Sequence, residues 1–220
     1  MIKDTMLLFD LDGTLWDAAK EVADSWNIIL KKYAVDRKPL DAAQVQALMG
    51  KTMQEISDLL LPDLPPAERT GVYEEMQTYE NIYIRKHGGT LFPGIREALK
   101  TLHEAGYQMG IVSNCQVGYI GAFLTSMKMW HYFCDIEAWG YTKKSKGESI
   151  HLVIERNAFS KAIYIGDISR DMDAAHEAGI PFIHAAYGFG TVENPDGVIH
   201  TPQELPAVVK NMTMGHHKKI

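Results

Sequence analysis

The sequence predicts an α/β fold: a Rossmann-like parallel sheet core with helices on both faces, plus an inserted four-helix cap. Largely apolar runs at 6–9, 109–112, 162–165 and 182–185 have strand length and little polar alternation, the pattern of strands covered on both faces. From residue 93 onward such runs alternate with amphipathic helical periods, which argues for parallel strands joined by helical crossovers. Between residues 16 and 90 only helical periods recur, so this stretch reads as a separate bundle entered just after the first strand. The expected partition is a core of residues 1–15 and 91–220 and a helical cap of residues 16–90.

In the cap, Val22, Trp26, Ile29, Leu30 and Tyr33 recur at spacings of three and four with Lys20, Glu21, Asp24 and Lys31 between them, giving a first helix. Residues 42–49 and 53–61 give two more. Pro65-Pro66-Ala67-Glu68 opens a fourth, with Val72, Met76, Tyr79 and Tyr83 as its stripe and Gly88-Gly89 as its end. In the core, residues 93–104 form a helix whose Ile95, Leu99 and Leu102 share a face and which Gly106 caps. Strand 109–112 leads to Ser113-Asn114, and helix 117–127, strand 133–139, helix 147–156 and strand 162–165 follow, the last ending at Gly166-Asp167. Helix 171–178 stops at Gly179-Ile180-Pro181, and strands 182–185 and 198–199 complete the sheet. A final helix opens on Thr201, Pro202 and Glu204 as a capping box, with Pro206 expected to disturb its next turn.

Composition narrows the function. The 220 residues, 46% of them hydrophobic, suffice for a large core. A net charge of -6 with no basic stripe argues against nucleic acid or an anionic membrane as partner. No apolar run approaches the roughly 20 residues of a membrane span, so small molecules are the expected partners. Cys115 and Cys134 are the two cysteines, and nothing N-terminal reads as a charged segment followed by an apolar signal core, which points to a reducing cytoplasm. Monomer and homodimer both stay open. The His216-His217-Lys218-Lys219 run reads as a solvated tail, with metal binding by the histidine pair as its alternative.

The stretch Phe9-Asp10-Leu11-Asp12-Gly13-Thr14 says most about chemistry. Residues i and i+2 of a strand share a face, so Asp10 and Asp12 project together from the end of the first apolar run, where Gly13 lets the chain turn. Like charges this close need a metal, a proton or a base to offset them, which makes the pair a cation or phosphate site more readily than an Asp-Gly turn. In an open parallel sheet ligands bind at the carboxyl ends of the strands. Ser113-Asn114, Lys146 at a helix start, and Asp167 with Asp171 all fall at that edge.

In this order, Asp10-Leu11-Asp12-Gly13-Thr14, Ser113, Lys146 and Gly166-Asp167-x-x-x-Asp171 resemble the signature of the haloacid dehalogenase-like hydrolase superfamily. The likeness covers essentially the whole chain: residues 16–90 resemble its small helical cap, as in the phosphoglycolate phosphatase-like subgroup, and Gly188-Phe189-Gly190 its loop after the last long strand. The resemblance implies a Mg²⁺-dependent phosphatase hydrolysing a small phosphorylated metabolite through a phosphoaspartate. Asp10 would be the nucleophile; Asp12 would protonate the leaving group and then activate water, its carbonyl also facing the metal. Asp10 and Asp167 would ligate Mg²⁺, with Asp171 behind them or acting through water. Lys146 would offset charge on Asp10 and phosphate, and Ser113 with backbone amides near Asn114 would bind phosphate.

Other residues weigh less. Cys115 reads as packing rather than chemistry, and Lys86 interrupts the Arg-His pair that a histidine phosphatase would need. Trp16 and Asp17 either line the substrate entrance or pack at the hinge, and Gly50-Lys51-Thr52 is either a specificity loop or a solvated one. The rival functions are a phosphosugar mutase of the same superfamily and a non-catalytic phosphate-binding regulatory protein. The natural substrate is not readable from residue types.

Overall fold

Every residue of the first strand, β1 (Thr5–Phe9), is buried, because neighbours pair with it on both edges and helices cover both faces. The structure is a computed structural model that describes residues 3–33, 35 and 37–214; the histidine-lysine tail lies outside the described residues. With β4 (Gln108–Ser113), β5 (Phe133–Ala138), β6 (Lys161–Gly166), β7 (Phe182–Ala185) and β8 (Gly197–Ile199), β1 forms a six-stranded parallel sheet in the order β5-β4-β1-β6-β7-β8. Phe9 pairs with Ile111 of β4 and Ile165 of β6, so these three strands end side by side. The period-2 alternation of β1 splits the core: Leu7 and Phe9 join the larger cluster, while Met6 and Leu8 join Val112, Ile150, Val153 and Phe182.

The chain leaves the core through β2 (Trp16–Asp17) and returns through β3 (Thr90–Leu91), which pair antiparallel. Between them lie α1 (Ala19–Lys32), α2 (Ala42–Gln46), α3 (Met53–Leu60) and α4 (Pro66–His87). Asp41 with Gln44 and Thr52 with Glu55 make reciprocal capping boxes that start α2 and α3. The β2–β3 pair stands where a purely helical excursion was expected. In α4 the buried stripe is Val72, Met76, Glu80 and Ile84, with Tyr79 and Tyr83 only partly covered: a charged residue takes the place expected for an aromatic one.

The helices of the core are α5 (Ile95–Glu104), α6 (Tyr119–Met127), the short α7 (Trp139–Thr142), α8 (Lys146–Arg156), α9 (Ser169–Glu177) and the terminal α10 (Leu205–Met214). Strand β5 stops one residue earlier than expected because Trp139 begins α7. Pro206 does not disturb α10. It is the second residue of that helix, where its missing N–H would have had no intrahelical partner. No helix among the described residues is long and apolar enough to cross a membrane.

Candidate active site

Two adjacent strands, β1 and β6, and the helix that follows β6 deliver the acidic groups. Asp10 follows β1, with its backbone N–H donating to Ile165 O across 2.8 Å, so it is locked to the end of β6. Asp167 follows β6, and Asp171 sits in the first turn of α9. The Asp171 carboxylate accepts from the backbone N–H groups of Asp167 (3.1 Å) and Ile168 (3.3 Å), closing the turn between strand and helix. Carboxylate oxygens of Asp10, Asp167 and Asp171, all buried, lie within 4.8 Å of one another.

Lys146 is the counter-charge. Its Nζ, at the start of α8, lies 3.0 Å from Asp10 Oδ1 and 2.6 Å from Asp171 Oδ1 with little solvent access. Burial opposes its charge, but the two carboxylates outweigh that and hold its pKa well above the ordinary value. Lys143 instead lies over the Trp139 ring, 3.9 Å from its centroid, so only Lys146 of that lysine cluster faces the acids. Burial pushes Asp10 up to about 6, against the attraction of Lys146 and with repulsion from Asp171. Asp167 rises to about 8 through burial and repulsion from Asp171 and Asp10. An all-oxygen donor set with uncompensated negative charge fits a hard divalent cation such as Mg²⁺.

Packing around Asp167 is close. Its Oδ2 accepts from the backbone N–H of Phe189 at 2.8 Å, and Thr14 Oγ1 lies 3.4 Å from Oδ1. Gly13 has φ +83°, and a Cβ there would fall 2.1 Å from Asp167 Oδ2. One at Gly188 would fall 2.3 Å from Gly13 O. Both glycines are required for the backbone to pass this carboxylate.

The second carboxylate of the β1 pair has different partners. Asp12 Oδ1 accepts from Tyr119 OH at 2.9 Å and Trp16 Nε1 at 3.0 Å. Burial first and Asp10 second push its pKa well above the carboxylate range, while those two donors pull it down. Asp12 thus holds a proton more tightly than a free carboxylate does, beside an ion-paired Asp10. Trp16 is fully buried against Phe123 and Tyr119, so it packs at the hinge and positions Asp12 rather than lining an entrance.

A cleft above these residues is lined by Asp10, Asp12, Ser113, Asn114 and Tyr119 from the core and by Trp26, Gly50, Lys51 and Glu80 from the helical excursion. Ser113 is buried at the end of β4. The side chain of Asn114 donates to Gly50 O at 3.1 Å, which ties the loop between α2 and α3 to the core. Gly50 and Lys51 therefore line the cleft, while Thr52 caps α3. Cys115 is buried with its thiol pKa pushed up by burial and by Asp12, as suits a packed residue.

Sequence reasoning missed Tyr119, the Trp16–Asp12 bond and Glu80. Glu80 carried a usable signal, since it continues the i, i+4 spacing of Val72 and Met76.

A family model described as haloacid dehalogenase-like hydrolase matches residues 7–185. Among curated proteins, a phosphoglycolate phosphatase of Pseudomonas savastanoi pv. phaseolicola is 27% identical over 216 residues, covering 91% of this chain and 78% of the relative. One of Xanthomonas campestris pv. campestris is 28% identical over 189 residues, with 83% of each covered. Among solved structures, one described as a predicted phosphoglycolate phosphatase from Haemophilus somnus 129PT superposes with a TM-score of 0.81 at 21% identity over 95% of this chain and 100% of that one. A β-phosphoglucomutase from Clostridium difficile gives 0.76 at 21% identity, with 99% and 100% covered. These two structural likenesses speak for the fold. With the family model spanning β1 through β7 and the acidic edge they build, the chain belongs to the haloacid dehalogenase-like hydrolases.

Proposed function

We propose that this protein is a Mg²⁺-dependent phosphoric monoester hydrolase that releases phosphate from a small phosphorylated metabolite through a phosphoaspartate on Asp10. The observation that carries this reading is the division of labour in the β1 pair: Asp10 is ion-paired to Lys146, whereas the partly exposed Asp12 accepts from Tyr119 and Trp16 and has its pKa pushed well above the carboxylate range. The curated relatives' names support it.

Phosphate monoesters hydrolyse extremely slowly unaided, so nucleophile, charge neutralisation and leaving-group proton must all be supplied. An Asp10 oxygen attacks phosphorus as the bond to the alcohol oxygen breaks, and Asp12 gives that oxygen its proton. Asp12, now ionised, takes a proton from the water that hydrolyses the acyl phosphate. Lys146 holds Asp10 in place and offsets the charge brought by substrate, and Ser113 offers a hydroxyl to phosphate. Asp10, Asp167 and the Asp12 carbonyl would hold Mg²⁺, with Asp171 behind them; the ion would supply charge neutralisation. Residues 16–90 act as a cap that excludes water and shapes the cleft. Two cysteines without a disulfide suit a reducing cytoplasm.

Turnover of p-nitrophenyl phosphate with and without Mg²⁺, for wild type and Asp10→Asn, tests the reading. Mg²⁺-dependent release that falls on the order of 10⁴-fold in the variant is expected. Equal rates in the two proteins end the enzymatic assignment, and transfer of phosphate to a second sugar hydroxyl in place of water favours the mutase.

A further inference from the structure

Glu80 has no part in the chemistry above, yet it is buried in α4 on the wall of the cleft that holds Asp10 and Asp12. Trp26 Nε1, from α1, donates to Glu80 Oε2, and the Gln116 side chain also hydrogen bonds this carboxylate. The anchor extends further: Asn81 Nδ2 donates to Val117 O at 2.8 Å, fastening this turn of α4 to the loop after β4. The carboxylate is therefore fixed where the helical excursion meets the phosphate-binding edge.

A carboxylate offers about four acceptor positions, so Trp26 and Gln116 leave room for a further donor on this buried group. Burial accordingly pushes Glu80 up to about 7, and a donor arriving with a ligand would reverse that cost. The neighbouring wall is apolar, from Val22, Leu48 and Ile56. Among the residues lining the cleft, Lys51 is the single cation against the three carboxylates Asp10, Asp12 and Glu80, while Lys146 behind Asp10 is engaged by Asp10 and Asp171, and Glu80 has Trp26 and Gln116 as its partners. A phosphate already adds negative charge there, and a second anionic group in the leaving alcohol would add more beside Glu80.

We propose that Glu80, held by Trp26 and Gln116, selects the alcohol half of the substrate: the cleft takes phosphomonoesters whose leaving group presents a hydroxyl or amine donor and disfavours those ending in a carboxylate. This rests on the phosphatase reading and deepens it. It also separates this chain from the phosphoglycolate phosphatases it resembles, whose named substrate carries a carboxylate.

A two-carbon series differing in one terminal group decides the matter: 2-hydroxyethyl phosphate, 2-aminoethyl phosphate and phosphoglycolate, assayed for kcat/KM with the full chain and Mg²⁺, alongside p-nitrophenyl phosphate. The expected result is that wild type prefers one or both donor-bearing esters over phosphoglycolate by at least tenfold. Glu80→Gln, whose amide tolerates a carboxylate, should shrink that ratio at least tenfold. Phosphoglycolate equal to or better than both donor esters in wild type overturns the proposal, as does an unchanged ratio in a variant with native circular dichroism. Should Glu80→Gln fail to fold, the wild-type ranking alone decides. Hydrolysis of p-nitrophenyl phosphate without the expected ranking sinks only this inference, whereas no hydrolysis of any ester sinks the phosphatase reading and this one with it.

Discussion

The hydroxyl of Tyr119 donates to Asp12 Oδ1 at 2.9 Å, joining the first residue of α6 to the second carboxylate after β1 across 107 positions of sequence. That bond favours the ionised form of Asp12, against burial and Asp10, which favour the protonated one. Tyr119→Phe should therefore raise the Asp12 pKa further. The alkaline limb of kcat/KM, where the leaving-group acid loses its proton, then moves to higher pH on an alkyl phosphate. Superimposable profiles for the two proteins would contradict this role for Asp12.

Removing Lys146 leaves Asp10 and Asp171 buried without their cation. Lys146→Met should cost about 3–5 kcal/mol near pH 8, the usual penalty for orphaning a buried charge. Without the lysine the folded state favours protonated carboxylates, so Asp10 moves further above its unfolded value. Stability is then retained at low pH and lost as pH rises through the folded pKa, and the deficit should shrink toward pH 5. Urea titrations at the two pH values measure it; an equal deficit at both would be the contrary result.

Gly13→Ala places a methyl onto Asp167 Oδ2 and demands φ +83° of an alanine. The strain is worth on the order of 1–3 kcal/mol, and relief requires Asp167 to move. Wild type should gain thermal stability with added Mg²⁺ by mass action, and the variant should lose most of that gain. Thermal melts across a Mg²⁺ series report both, and an undiminished Mg²⁺ response would show that Asp167 stays in place or is not needed.

Glu80 bears on stability as well as selectivity. Its folded pKa of about 7 lies above the ordinary 4.5, so the native state holds the proton more tightly and stability declines as pH climbs between these values. Glu80→Gln removes that decline. Relative to wild type the variant should gain at most about 3.5 kcal/mol at pH 8 and nothing at pH 4, from about 1.4 kcal/mol per pH unit between 4.5 and about 7. Denaturation curves at both pH values, without Mg²⁺, provide the comparison; a pH-independent difference would place the charge elsewhere.

The acidic edge is legible because its residues interrupt apolar runs: Asp10 and Asp12 follow β1, Ser113 ends β4 and Asp167 follows β6. Strands covered on both faces leave little else to read, so a carboxylate at their end stands out. Tyr119 reads as core in the sequence, and Trp16 is legible as an entrance or hinge residue, but nothing local marks the hydrogen bond that either polar atom makes to Asp12. Strands β2 and β3 are two residues long, too short for any period to register. For Glu80 residue type and spacing point opposite ways, since a glutamate suits a solvated face and its place in the stripe requires burial.

Trp16 pairs with Leu91 and Asp17 with Thr90, so the polypeptide departs from and rejoins the sheet through a single narrow gateway. The covalent path passes only through that gateway, while Asn114 to Gly50 O and Asn81 to Val117 O add polar ties between excursion and core. Closure entropy grows only with the logarithm of the hanging length, so residues added where the excursion does not touch the core cost the acids at the end of β1 little. Substrate preference is free to diverge here while reactivity stays fixed.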